Sequence, residues 1–302
     1  MSDERPSLAD GGSQAVPPSS SSQRAGDSVA EDDESERSTD ANEFVGEDIV
    51  VGYPGSEEPV IDDATIRLPP GEVTALVGPN GSGKSTLLAG LADQIAIDAG
   101  TVLLDGEDVH TLETKELARK LGLLSQENVA PNSLSVAELV SHGRYPHRGV
   151  FDSLSDADRE AIEGAIELAG VDHLRDREIG SLSGGQRQLV WIAMVLAQDT
   201  DVLLLDEPTT FLDMHHQLAV MEIIERLRDE GDVTVGLVLH DIEQAARYAD
   251  HVVALTDGEI QARGDPETVL TEELLRDVFA VEATVEATER GLQITPLAPH
   301  NG

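Results

Sequence analysis

The chain has 302 residues, with 59 acidic against 20 basic side chains and a formal net charge of −39. That surface argues against nucleic acid as a partner, because phosphate backbones are bound through a basic footprint. The absence of cysteine excludes disulfides, thiolate metal sites and a cysteine nucleophile. No apolar run approaches the roughly 18 residues of a membrane span, and the longest obvious one, Leu189 to Ala197, has core-helix length.

Residues 1–42 are low-complexity, with Ser19 to Ser22, Glu31 to Glu34 and scattered Gly and Pro. They hold too little apolar surface to offset ordering entropy, so an acidic disordered tail is expected, with no signal-peptide pattern. Ten acids and three arginines give this stretch −7, leaving −32 on the remaining chain. The acidity therefore belongs to the body as well. It leads us to expect a halophilic protein working in concentrated salt, where screening makes a dense carboxylate surface tolerable.

Order should begin near Phe44 to Tyr53, with a second strand at Thr65 to Leu68. The apolar run Val73 to Val77 then meets Gly78-Pro79-Asn80-Gly81-Ser82-Gly83-Lys84-Ser85-Thr86 and the amphipathic segment to Leu91. Strand, glycine-rich turn and helix with G-x-x-x-x-G-K-[ST] spacing make a phosphate-binding loop. Glycines let the backbone curl so that N–H groups point at phosphates, and the helix N-terminus faces the same charge. Lys84 is placed for the β- and γ-phosphates and the Ser85 hydroxyl for Mg²⁺, so ATP and Mg²⁺ are the expected ligands.

Thr101 to Leu104 and Leu121 to Leu124 read as short strands. From Ser135 the period turns helical, through Val136, Leu139 and Val140 and then Ala161 to Ala169, with Ser155 and Asp158 as an acidic capping box. A further helix covers Gly184 to Gln198. Strands and helices then alternate: Val202 to Asp206, Met214 to Arg228, Val233 to Leu239, Ile242 to Tyr248 and His251 to Leu255. The segment from about Glu272 onward reads as a helix and two strands. Strands separated by helices imply an α/β fold with a mostly parallel sheet and a helical insertion.

Asp201 to Glu207 is a continuous apolar strand ending in two carboxylates. Such a strand suits the centre of a parallel sheet, at whose carboxyl edge ligands bind. Asp206 would hold Mg²⁺, directly or through water, and Glu207 would orient or deprotonate the attacking water. Leu182-Ser183-Gly184-Gly185-Gln186 opens another helix as a second glycine-rich N-terminus suited to an anion.

With these motifs in this order, residues 44–280 resemble the ATP-binding subunits of ABC transporters. The resemblance implies a P-loop NTPase with an N-terminal antiparallel β portion, a cassette over residues 43–285, a helical subdomain over about 135–181 and a C-terminal extension at 286–302. It implies that Ser183 and Gly185, in the turn with Gly184 and Gln186, contact the γ-phosphate held on a second subunit's P-loop. A second copy of the chain, forming an ATP-sandwich homodimer, is the simplest partner. Gln126 is similar to the glutamine that senses Mg²⁺ and γ-phosphate, His240 to the switch histidine, and Asp213 to the D-loop residue at the dimer interface. Tyr53, 25 residues before Gly78, sits where an aromatic ring stacks on adenine.

Gly143-Arg144-Tyr145-Pro146-His147, Trp191 to Met194, His216-Gln217 and Ala246-Arg247-Tyr248 look like the ATPases of ferric-siderophore importers, with cobalamin and haem importers close by. Leu189 departs from the basic residue many of them carry. The implied setting is the cytoplasmic face of the membrane, against transmembrane permease subunits and, through them, an extracellular substrate-binding protein. A soluble ABC ATPase acting on ribosomes or DNA is the rival. It is disfavoured by the single copy of each motif, the absence of long coiled coils and the acidic surface.

Overall fold

The computed structural model describes residues 43–300 apart from 54, 56, 57, 150, 151, 231, 232, 289 and 290. The expected acidic tail at 1–42 lies outside them. The chain opens with β1 (Phe44–Val51) and β2 (Ile61–Leu68), then β3 (Val73–Val77) and α1 (Lys84–Leu91). β4 (Ala99–Leu104), β5 (Glu107–Asp108), α2 (Thr114–Lys120) and β6 (Leu121–Leu124) follow. The antiparallel sheet β2-β1-β4-β5 is the expected N-terminal β portion.

Between β6 and the next strand lie α3 (Val136–Ser141), α4 (Asp156–Leu168) and α5 (Gly184–Leu196), joined by 3₁₀ turns. α3 and α4 begin on complete capping boxes, Ser135 with Glu138 and Ser155 with Asp158, which satisfy first-turn N–H groups that would otherwise be orphaned. The buried Arg144 fastens this insertion: its Nε donates to Asp158 Oδ1 at 2.9 Å and its Nη1 to the α5 end carbonyl of Ala197 at 2.9 Å.

The chain returns as β7 (Val202–Asp206), α6 (Met214–Glu230), β8 (Thr234–Val238), α7 (Ile242–Tyr248), β9 (His251–Thr256) and β10 (Glu259–Gly264). It ends with α8 (Pro266–Val269), α9 (Glu272–Phe279), β11 (Val281–Thr288) and β12 (Gly291–Pro299). The main sheet has the order β10-β9-β3-β8-β7-β6, parallel except for the β10–β9 edge, so the expected α/β architecture holds.

Its central strands are buried on both faces, which is why they read as unbroken apolar runs rather than alternating ones. Leu203 and Leu205 of β7 pack into one core with α5 and α6, while Val202 and Leu204 pack into the other with α1 and the antiparallel sheet. Each such aliphatic side chain stabilises the fold by about 1.5–3 kcal/mol. The expected division at 285/286 falls inside β11. The β11–β12 hairpin carries Ala283 and Ile294 into the larger core.

The consequence for function is positional. β6, β7, β8 and β3 are adjacent and parallel, so their carboxyl ends deliver Gln126, Asp206 and Glu207, His240 and the Gly78 turn to a single edge of the sheet.

Candidate functional site

At this edge a cleft of about 820 Å³ is lined by residues of the 78–86 turn together with Gln126, Glu207, Thr210 and His240. The turn depends on glycine at two points. At Gly78 a Cβ would lie 2.1 Å from the Leu255 carbonyl oxygen, closer than any real contact. Gly83 adopts φ +98° and caps α1 with no side-chain hydrogen bond, leaving first-turn N–H donors for a ligand. The Ser82 hydroxyl is likewise buried without a protein partner.

Lys84 is buried, and its Nζ donates back to the carbonyls of Gly78 at 2.9 Å and Pro79 at 3.0 Å. Burial pushes its pKa down, opposed by the nearby charges of Glu207 and Asp206. Ser85 Oγ donates to Asp206 Oδ1 at 2.8 Å, which links the two motifs across 121 positions of chain. Burial pushes the Asp206 carboxyl above its ordinary range, with the Ser85 hydrogen bond as the main counterweight. A hydroxyl and a carboxylate in contact are the hard oxygen donors that Mg²⁺ takes from a protein that also supplies it with substrate phosphates, so these residues fit the ion.

Glu207 follows directly after β7 in the left-handed region, φ +52°, a conformation that costs a non-glycine residue of the order of 1–3 kcal/mol. Three neighbours hold its carboxylate. Gln126 Nε2 donates to Oε2 at 2.8 Å, Thr210 Oγ1 donates to Oε2 at 3.1 Å, and His240 Nε2 lies 2.6 Å from Oε1. The turn carrying His240 is fixed in its own right by Asp241, the N-cap of α7, which accepts from the backbone N–H groups of Glu243 and Gln244. Thr210 was missed by the sequence reading. Its signal was there in a threonine three residues after a carboxylate in a turn, within reach for a side chain folding back.

Tyr53 lines the cleft with its ring half exposed and its hydroxyl 3.2 Å from Thr86 Oγ1. Asn80, Gly81, Gly83, Lys84 and Ser85 line it too. Ser183, Gly184, Gly185, Gln186 and Asp213 do not. Ser183 instead caps α5 in a closed capping box: its Oγ accepts from Gln186 N–H at 3.2 Å while Gln186 Oε1 accepts from Ser183 N–H at 3.2 Å. Asp213 stands at the start of α6 and accepts from the His216 backbone and ring. One half of the motif set is therefore gathered around the cleft, and the other half is displayed elsewhere.

The chain is similar to known proteins in sequence and in fold. The family described as "ABC transporter" matches residues 61–210. The ferric enterobactin transport ATP-binding protein FepC of Escherichia coli is 44% identical over 80% of this chain and 88% of its own. The petrobactin import ATP-binding protein FpuD of Bacillus anthracis is 44% identical over 80% and 88%. The cobalamin import ATP-binding protein BtuD of Halobacterium salinarum is 38% identical over 79% and 60%. Among solved structures, an inward-facing putative metal-chelate type ABC transporter matches with a TM-score of 0.72 at 26% identity, over 85% of this chain and 98% of that one. The dimeric structure of MJ0796, a bacterial ABC transporter cassette, matches with a TM-score of 0.66 at 27% identity, over 74% and 98%.

Proposed function

The chain belongs to the ABC transporter family as an ATP-hydrolysing, ATP-binding protein, and from that premise we propose that it powers import of an iron(III)-siderophore-type chelate. The observation that carries the mechanism is the Glu207 carboxylate. It is strained, held by three side chains, and lines the same cleft as Lys84 and Ser85 of the 78–86 turn. ATP binds with its phosphates on the N–H groups of the turn, and the Lys84 ammonium neutralises their charge. Ser85 and Asp206 would hold Mg²⁺, which would supply positive charge to offset that of the phosphates.

Glu207 orients a water molecule and takes its proton as the water attacks the γ-phosphorus, giving ADP and phosphate. Gln126, Thr210 and His240 keep the carboxylate in place, so little reorganisation is needed at the moment of reaction. Because the Ser183 turn lies outside the cleft of its own chain, a site is completed only when a second copy docks head to tail. ATP occupancy then drives closure of the dimer.

Among the described residues no helix is long and apolar enough to cross a membrane. In this proposal the power stroke reaches the membrane through permease subunits at its cytoplasmic face, with a substrate-binding protein outside, as the likeness to import ATP-binding proteins supports. The helical insertion at about 135–181 is the part of the 43–285 cassette that faces the permease. The −39 charge supports work in concentrated salt; full stability at low KCl would count against that part.

Glu207→Gln should bind ATP and lock a dimer visible by light scattering, and normal phosphate release by that variant would sink the mechanism. The cargo is tested by transport. Deletion of the gene should abolish uptake of ⁵⁵Fe-siderophore. Loss of labelled cobalamin uptake instead would move the assignment to the cargo of the Halobacterium relative.

A further inference from the structure

Glu207 serves the ATP bound by its own chain, and the Ser183 turn serves the ATP bound by the other. Within one chain, however, one side chain is seated directly in the signature turn. His216, in the first turn of α6, occupies the space a side chain would take at Gly185: a Cβ built there would lie 2.3 Å from His216 Cγ, 2.5 Å from Cδ2 and 2.6 Å from Nδ1. The absence of a side chain at Gly185 is what admits the ring.

Asp213 sets the ring's orientation, since its Oδ1 accepts from His216 N at 3.0 Å and lies 2.8 Å from Nδ1. His215 stands edge-on to it, with centroids 5.3 Å apart. Two more fastenings run alongside: Gln188 Nε2 of α5 donates to the Pro208 carbonyl at 3.2 Å, and Gln217 Nε2 of α6 donates to the Thr209 carbonyl at 3.4 Å. The loop from Glu207 to Asp213 is thus tied near its start to α5 and α6 and at Asp213 to the first turn of α6.

We infer that His216 is a positioning residue that couples the two ATP sites of the dimer. It transmits the state of the Glu207 loop in one site to the signature turn that the same chain contributes to the other. Close-packed contacts carry such displacements because there is no slack to absorb them. The coupling is reciprocal, so the signature turn's engagement also biases the Glu207 loop. The inference rests on the head-to-tail homodimer proposed above.

The test uses the full chain with Glu207→Gln as parent. Into it go His216→Ala, which empties the notch, and His216→Phe, which keeps a flat ring there without the nitrogen. ATP affinity of the dilute single chain, measured by fluorescence, should stay within about twofold in both variants, because His216 is not among the residues lining the cleft. In His216→Ala, ATP-driven dimerisation should weaken by about tenfold. In the otherwise wild-type chain, the same substitution should bring the Hill coefficient of turnover down toward 1, and His216→Phe should recover most of both losses.

A mere packing role would lower thermal stability and leave the Hill coefficient alone. Wild-type cooperativity in His216→Ala, or a Phe variant no better than the Ala variant, overturns the coupling role. If the Glu207→Gln parent itself stays monomeric in ATP, the homodimer reading fails first and this inference falls with it.

Discussion

Two glycine-rich turns open helices in this molecule, and they treat the helix N-terminus in opposite ways. Gly83 caps α1 from the left-handed region with no side-chain hydrogen bond, and the Ser82 hydroxyl beside it is buried without a protein partner. Ser183 caps α5 with a complete capping box, so the Gln186 N–H and its own N–H are already engaged by the chain itself. The first turn leaves donors open that, in the proposed function, a phosphate takes up. The second is partly closed by its own side chains and, in the proposed function, is carried exposed until a second copy meets it. The same composition yields a receptor in one place and a presented probe in the other, and the difference lies in the residue at the N-cap.

The contrast can be broken in graded steps. Lys84→Ala should lower ATP turnover by about a hundredfold or more, the scale on which charge-stabilising groups act; phosphate release at wild-type rate would mean the α1 turn is no receptor. Gly83→Ala should destabilise the fold by about 1–3 kcal/mol in denaturant titration, since φ is +98° and the new Cβ would lie 2.5 Å from Ile61 Cδ1. Ser183→Ala should cost about 1 kcal/mol through loss of the α5 cap. Gly184→Ala should do the reverse and stabilise by about 0.4–1 kcal/mol, because no atom lies within 4 Å of its Cβ position. Equal responses at Gly83 and Gly184 would erase the distinction between the turns.

Acid sharpens it further. The capping box of α4 resembles that of α5 but is built on Asp158, whose carboxyl is held well below the usual range by the side-chain and backbone hydrogen bonds from Ser155 and then by Arg144. A depressed folded-state pKa gives stability that is fully present above the unfolded value of about 3.9 and is lost as pH falls through the folded value. The stability gap between wild type and Asp158→Asn should therefore narrow below about pH 4, whereas that between wild type and Ser183→Ala should not follow this titration. A gap for Asp158→Asn that stays constant into strong acid would show that the carboxylate contributes nothing through its charge.

Much of the fold was legible because its central strands are unbroken apolar runs and its helices carry caps; α7 was placed at Ile242–Tyr248 from its pattern alone. What escaped had little apolar signal. α2 buries only Leu117, so TKELARK shows no period, and β10 is a half-buried edge strand whose burial alternates weakly. The two sets of site residues were legible as motifs because each is local in sequence. Their internal wiring was not. The approach of Gln126 to Glu207 spans 81 positions, that of Ser85 to Asp206 spans 121, and the seat of His216 on Gly185 arises only when α6 docks on α5. Contacts made by the crossing of distant elements leave no spacing to read.

The separation of the two turns has a genetic meaning. In a cell expressing two defective alleles, one altered at Lys84 and the other at Ser183, each mixed pair of the proposed head-to-tail dimer would gather both lesions into a single composite site. The other site of that pair combines an unaltered P-loop with an unaltered signature turn. Neither allele alone could assemble such a site, so the two together should restore a measure of growth that each denies.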